Sequence, residues 1–345
     1  MDQATAHRRG ERAAPLRAVV VGLGKTARLL RAGAALRDDV EIVGGVDVDP
    51  AKAGADLGEA LGGEPLGRPV SAALADELAR DDVDVVLHTA TGDADEVADA
   101  LGACLDAGKD ALTVNWFVHA PAAYGARRAA ELAERARRGG ARAAGTGVNP
   151  GLLLDVLPVL WGTTFARVER VALRRVSEIS TWGRGVLEQE VGLGRPLDSV
   201  AVPTGQLAQS CGILADGLHL DLDRWEETAE PIAVATDRRR GDLAVPAGRT
   251  AGFRRLARGL RGGTVVAEVE WLAIWAIDPD ADGVENSSTL RIEGGGETVE
   301  TTVAGGLLTD PYPATAARML NAIAVLRALP PGIYRPDQLP LAVTP

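Results

Sequence analysis

The sequence predicts an α/β protein: a doubly wound parallel (Rossmann) sheet, then a second α+β domain with a mixed or antiparallel sheet. Three observations predict it. In Ala18-Val19-Val20-Val21-Gly22-Leu23-Gly24-Lys25-Thr26-Ala27-Arg28-Leu29-Leu30, an apolar run meets a glycine pair and then a helical pattern. From there to about residue 150, short apolar runs alternate with alanine-rich helical stretches, the signature of a parallel sheet wound by helices. After Pro150 the pattern changes to longer strand-like runs with few helices between them.

The glycine stretch reads as strand, tight turn and helix N-terminus. Gly22 permits the turn, and Gly24 lets a ligand approach the backbone. Ala27 takes the place of a third glycine, where helix and strand lie close. The free N–H groups of the helix start suit a pyrophosphate, so Gly22, Leu23, Gly24, Lys25, Thr26 and Ala27 are candidate cofactor contacts. A second strand at 41–46 ends at Asp47, a little over twenty residues further on. A carboxylate there accepts both ribose hydroxyls of an adenosine and repels a 2′-phosphate. The cofactor is expected to be NAD(H) or NADP(H), with a lean to NAD. Lys52 and Arg68 are available to a phosphate.

The remaining elements follow in order. Residues 51–61 suggest a short helix. A buried strand at 83–88 ends in Thr89-Ala90-Thr91-Gly92. A helix at 95–107 stops at Gly108, and a strand at 111–114 leads into Asn115-Trp116-Phe117. A helix at 122–138 precedes a strand at 141–144, which opens into Gly145-Thr146-Gly147-Val148-Asn149-Pro150-Gly151. Ligands of doubly wound sheets bind outside the C-terminal strand ends. That rule adds Thr89, Ala90, Thr91, Asn115, Val148, Asn149 and Pro150 to the cofactor candidates. A helix is expected at 152–160, with Asp155 and Pro158 inside it. Strand-like runs cover 167–177, 263–276 and 289–303, with a helical insertion at 205–218. The chain therefore divides into a disordered leader (1–15), a dinucleotide-binding domain (16–150) and a substrate domain (151–310). A C-terminal segment (311–345), with a helix at 313–328, packs back on the first domain.

Composition excludes several classes. A net charge of −11 argues against nucleic acid or an anionic membrane as partner. The arginine groups at 238–240 and 254–255 lack interleaved aromatics and read as solvated surface. Cys104 and Cys211 stand alone, and the four histidines have no ligand spacing, so no metal is expected. No apolar run reaches the ~18 residues of a membrane helix. A cytoplasmic location and a small-molecule substrate are expected.

On the glycine turn, the Thr89–Thr91 edge and the GTGVNPG string followed by Asp155 and Pro158, the chain resembles the dihydrodipicolinate-reductase-like family. That family includes 2,4-diaminopentanoate dehydrogenase and the native amine dehydrogenases. Residues 203–218, Pro246-Ala247-Gly248-Arg249-Thr250-Ala251-Gly252-Phe253, and Asn321 with Pro330-Pro331-Gly332 extend the likeness over nearly the whole chain. The resemblance implies a two-domain NAD(P)H oxidoreductase that interconverts ketone plus ammonia with amine. It also implies a homodimer or higher homo-oligomer built through the second domain. One departure matters. Where the family's amine dehydrogenases carry Cys-Glu-Glu, this chain reads Asn115-Trp116-Phe117, and the acid/base role carried by one of those glutamates has no counterpart there.

Amination of a ketone needs proton transfers, whereas a preformed iminium needs only hydride. The missing carboxylate therefore turns the expectation towards C=N reduction. A carbonyl reductase and a non-catalytic dinucleotide sensor are the alternatives. Glu178, His119 and Asp155 are candidate replacement acids. Trp116, Phe117, Asn149, Glu178 and Trp182 are candidate substrate contacts, because indole faces attract a cation. Trp271 and Trp275, four apart on an expected strand, should share a face.

Overall fold

A computed structural model describes residues 14–341 and 343. The expected leader falls almost entirely on residues 1–13, outside the described residues.

Strand β1 (Leu16–Val21) is buried along its last four residues and feeds α1 (Lys25–Ala34), which turns Ala27, Leu30 and Ala34 inward. Strand β2 (Val40–Val46) follows. Residues 51–61 form turns and one short helix, α2 (Leu57–Ala60), not a helix throughout. Gly54 takes φ +83°, and Asp56 caps the later start by accepting from the N–H groups of Gly58 and Glu59. Helix α3 (Leu74–Leu78) precedes β3 (Val85–His88). Helix α4 (Ala94–Asp106) opens on a reciprocal capping box between Asp93 and Glu96. Then come β4 (Asp110–Thr113), α5 (Ala120–Gly139, interrupted at Gly125) and β5 (Arg142–Gly145).

Helix α6 (Val156–Gly162) starts later than the expected 152–160 helix, because Asp155 sits at its N-cap rather than inside it. Strand β6 (Arg170–Glu178) is followed by α7 (Arg184–Val186), which runs directly into a π-helix (Leu187–Val191). Next are α8 (Ala208–Gly217), β7 (Arg224–Ala233), and the hairpin β8 (Arg238–Arg240) and β9 (Leu243–Val245). Long strands β10 (Thr250–Arg261) and β11 (Thr264–Ile274) precede α9 (Pro279–Asp282). The run at 289–303 is a hairpin, β12 (Ser287–Gly294) and β13 (Glu297–Val303), because Gly295 and Gly296 turn the chain with φ +61° and +83°. Helices α10 (Gly306–Thr309) and α11 (Tyr312–Arg327) and strand β14 (Gly332–Tyr334) end the described elements of regular structure, apart from a final 3-10 turn.

The first sheet has the order β14-β5-β4-β3-β1-β2, and all its pairs are parallel. Its order reverses between β1 and β3, which opens the crevice where such sheets bind ligands. The second sheet, β13-β12-β6-β11-β10-β7, is mixed: β6 and β11 are parallel and its other pairs antiparallel. Helix α11 shares a core with the first sheet, its Ala316, Met319, Leu320 and Ile323 packing with Leu30 and Leu87. Gly33 makes that approach possible, since a Cβ there would lie 2.7 Å from Leu320 Cδ1.

The arginine groups are not wholly solvated. Arg238 is buried and forms a two-pronged pair with Asp282 at 2.7 and 2.6 Å, tying the β8–β9 hairpin to α9. Arg255 is buried with its guanidinium 4.1 Å from the Phe253 ring centroid. Trp275 lies one residue beyond β11, fully enclosed beside Ile179 and Phe253, while Trp271 is only half-buried.

Candidate active site

Two joined regions form a cleft along the C-terminal edge of the first sheet. One lies at the crevice between β1 and β3. Gly22, at φ +84°, packs so closely on Ala90 that a Cβ would come within 2.5 Å of its backbone. Gly24 is the opposite case: a Cβ there would meet nothing within 4 Å, and no side chain caps α1. The helix start thus has no capping side chain and an uncrowded glycine before it, which suits a phosphate. A cavity of about 280 Å³ continues from this turn past Thr89, Ala90 and Thr91 to Asp47. Thr89 Oγ1 donates to the Gly22 carbonyl at 2.7 Å and locks the crevice. Asp47 is buried and accepts from Leu23 N–H (2.8 Å), Asp49 N–H (3.0 Å) and Lys52 Nζ (2.8 Å). Burial pushes its carboxyl up, but Lys52 and these N–H groups outweigh burial and hold it below the ordinary value. A dinucleotide fits here: open helix N-terminus, close glycine turn, ionised carboxylate at the end of β2.

The second region lies between the two sheets. A cavity of about 290 Å³ runs from Thr26 and Asn115 past Asn149 to Arg175, Ser177 and Glu178. It opens into a wider one of about 600 Å³ lined by Trp116, Trp182, Trp271, Glu190 and Tyr312. Asn115 Nδ2 donates to the Ala90 carbonyl at 2.7 Å, linking the ends of β3 and β4. Trp116 takes a positive φ of 52°, and its Nε1 donates to the Gly92 carbonyl at 3.0 Å, presenting the indole to the cleft. Gly147 and Gly151 explain the glycines of GTGVNPG. A Cβ on Gly151 would stand 2.5 Å from Gly147 N, so the loop closes on itself and brings Val148, Asn149 and Pro150 to the cavity wall. Lys25 crosses to the C-terminal segment, pairing with Asp310 at 3.1 Å and standing 4.0 Å over the Tyr312 ring.

Several candidates lie elsewhere. Phe117 turns away from the cleft into the core, 5.8 Å from the Tyr124 ring, because Gly145 leaves room for its backbone. His119 caps α5 by accepting from Ala122 N–H and lies 3.2 Å from Asp216, in a separate cavity of about 170 Å³. Asp155 is fully buried and accepts from Gly151 N–H, Val156 N–H and Ser210 Oγ. Burial pushes its carboxyl up, and these donors only partly offset that. Glu178 does line the cleft, but Oε1 accepts from Ser180 and Ala276 N–H and Oε2 from Ile277 N–H, pinning strand ends together. None of the three proposed acids offers a free carboxyl or imidazole to the cavity. Trp182 remains in the cleft, edge-on to Trp271 at 6.3 Å. Residues that sequence reasoning passed over are Arg175, Ser177, Glu190, Gln206, Gln209 and Tyr312. Gln206 and Gln209 fall in the 203–218 stretch that carries the resemblance, the other four belong to no motif, and tertiary packing brings all six together.

The family described as "2,4-diaminopentanoate dehydrogenase C-terminal domain" matches residues 152–344, more than half of the chain. The chain belongs to this 2,4-diaminopentanoate dehydrogenase family. It is 28% identical over 225 residues to 2,4-diaminopentanoate dehydrogenase of Acetoanaerobium sticklandii, covering 62% of this chain and 61% of that protein. It is 26% identical over 225 residues to an amine dehydrogenase of Streptomyces virginiae, covering 59% and 61%. The chain thus spans about 61% of the length of these curated relatives. In fold it is similar to the amine dehydrogenase of Mycobacterium smegmatis, with a TM-score of 0.79, 24% identity, and 94% and 96% of the two chains covered. Among the described residues no helix is long and apolar enough to cross a membrane, and no three His, Cys, Asp or Glu side chains gather into a metal site.

Proposed function

We propose that this member of the diaminopentanoate dehydrogenase family is an NAD(P)H-dependent oxidoreductase acting on a C–N bond, in the direction of imine or iminium to amine. The observation that carries the reading is the continuity of the cleft: the glycine-turn crevice leads without a break into a cavity walled by three indoles. The bound dinucleotide supplies a hydride. The chain's residues bind and orient. Asp47 favours a ribose with a free 2′-hydroxyl, the α1 N-terminus takes the pyrophosphate, and Thr89, Asn115 and Asn149 offer polar groups along the wall between them. Trp116 and Trp182 shield the reacting carbon from water and attract positive charge.

The direction follows from what the end of β4 lacks. Asn115-Trp116-Phe117 stands where the amine dehydrogenases carry carboxylates, and Glu178, His119 and Asp155 are committed to backbone or structural partners. A substrate that arrives already charged asks least of such a site. In agreement with the resemblance, a homodimer is part of the proposal.

The test is oxidation of NADH and of NADPH with two matched panels, small ketones in excess ammonium and preformed cyclic imines. Turnover of the imines, with ketones at least about tenfold slower because Asn115-Trp116-Phe117 brings no carboxylate to the end of β4, is expected. Efficient amination of ketones would overturn the directional claim. Tight NADH binding with silence in both panels would overturn the enzymatic one.

A further inference from the structure

We infer that Glu190 is the specificity-determining carboxylate of this cleft, and that it selects substrates whose C=N nitrogen carries a positive charge. The inference rests on the proposed C–N reduction and assigns the group that recognises the charge.

The π-helix decides where Glu190 points. Its Leu187 and Val191 are buried, at 1% exposure each, beside Ile179, Phe253 and Trp275. This anchors one face of the turn in the second domain's core. Gly192, at φ +73°, ends the turn, and its Cα lies so close to Val200 that a Cβ would meet Cγ2 at 2.7 Å. Single π-turns are commonly associated with functional sites, because the extra residue re-aims a side chain. Here Glu190 is delivered to the wall of the 600 Å³ cavity that also holds Trp116, Trp182 and Trp271.

Its carboxylate is free to bind. Among the described residues the Glu190 side chain makes no hydrogen bond and no ion pair, in contrast to Glu178, whose two oxygens hold three backbone N–H groups. Of the cations near the cleft, Lys25 pairs with Asp310 and Lys52 with Asp47, and two arginines remain. Arg255, 5.5 Å from the Trp271 centroid, feels the charge of Glu190 and of Glu227 but forms no ion pair with either, and its Nε donates to the Pro203 carbonyl at 3.1 Å. Arg175, buried in the neighbouring cavity, gives its guanidinium N–H groups to the carbonyls of Val176, Ser287 and Leu308 and to Asn286. Neither cation occupies Glu190.

The resulting site is a cavity whose lining combines a carboxylate with an aromatic wall. Trp182 is edge-on to Trp271 at 6.3 Å, Phe253 stands behind it at 5.2 Å and 86°, and Trp116 closes the side of the first domain. An indole wall attracts a cation through its ring quadrupole, and a carboxylate in the same cavity adds full charge. A compact protonated or N-alkylated iminium fits this chemistry. A neutral ketone of the same shape gains nothing from Glu190. In the step itself, hydride adds to the iminium carbon, the C=N π pair passes to nitrogen, and the cation becomes a neutral amine while the dihydronicotinamide is oxidised. Glu190 pairs with the charge before transfer and needs no proton of its own.

The experiment compares an N-methylated five-membered cyclic iminium ion, charged at every pH, with cyclopentanone in the full-length wild type and in Glu190→Gln and Glu190→Asp. The expected result is a fall of about tenfold or more in kcat/KM for the iminium in Glu190→Gln, carried mainly by KM. Glu190→Asp should recover a large part of it, and NADH affinity should be unchanged in both. An iminium kcat/KM equal to wild type in a Glu190→Gln variant that binds NADH normally would overturn the inference. If the wild type reduces neither compound, the underlying reading fails, and calorimetry with the N,N-dimethylpyrrolidinium cation still decides about Glu190. Binding to wild type that is lost in Glu190→Gln supports the cation site, and no binding to wild type overturns it.

Discussion

Asp155 brings three donors to two oxygens: Gly151 N–H at 2.8 Å, Val156 N–H at 2.8 Å and Ser210 Oγ at 3.0 Å. These bonds close the GTGVNPG loop, start α6, and join both to α8. Removal of the carboxylate would leave buried donors without partners, which costs about 1–3 kcal/mol for the groups involved. Asp155→Ala is therefore expected to lower the urea midpoint by an amount corresponding to about 2 kcal/mol, with Asp155→Asn retaining more of it. An unchanged midpoint would show that the loop does not depend on this side chain. Trp116 illustrates a different residue-level lesson. Its side-chain type suggested a pocket, and its place in the cleft comes from a positive φ and one hydrogen bond to Gly92. Phe117, its neighbour, has a similar apolar character and faces the opposite side. At a strand end one residue of backbone turn separates cleft from core, and residue type alone does not choose between them.

Among the elements, the β8–β9 hairpin and α9 are held together by one enclosed ion pair, Arg238 with Asp282, with side-chain exposures of 5% and 10%. Burial pushes the Asp282 carboxyl up, but Arg238 outweighs it and holds it below the ordinary carboxylate value. A depressed folded-state value means that the pair's contribution is complete above the unfolded pKa, ~3.9, and is lost as pH falls below it. Asp282→Asn is expected to destabilise the chain by about 3 kcal/mol at neutral pH, because a buried guanidinium loses its partner. The gap to wild type should narrow below about pH 4 in thermal melts across pH. A pH-independent gap would exclude the ionic account. The elements legible in the sequence share one property. Strands β1, β3, β4 and β5 are buried along most of their length, and helices α1, α4, α5 and α11 carry long alanine and leucine patterns. Strands β7 and β10 were not legible because one face carries charge: Glu226, Glu230, Arg254 and Arg258 stand out from the sheet in cross-strand ion pairs or partial exposure. The single run at 289–303 hid a hairpin because only the glycines at its middle, and not its hydropathy, mark the turn.

At the scale of the whole molecule, the cleft belongs to no single segment. The rule that ligands gather at C-terminal strand ends brought Gly22, Asp47, Thr89, Asn115 and Asn149 to one edge from sequence alone, and the geometry places these residues along one continuous wall. Of the opposite wall, only Glu178 and Trp182 were legible. Glu190, Trp271 and Tyr312 come from a π-helix, a mid-sheet strand and the start of the last helix, and only the packing of the second sheet over the first brings them together. The Lys25–Asp310 pair and the Lys25–Tyr312 contact cross the same gap and join the glycine turn to the start of the last helix. The central claim is that a hydride passes across this cleft from a bound nicotinamide to the carbon of a C=N bond. The most direct test is turnover of a cyclic iminium with NADH deuterated at the transferring C4 position, read by mass spectrometry of the amine. The account predicts one deuterium at the former C=N carbon, acquired in ordinary water. An unlabelled amine, or label exchanged into solvent, would contradict direct transfer and with it the functional reading of the cleft.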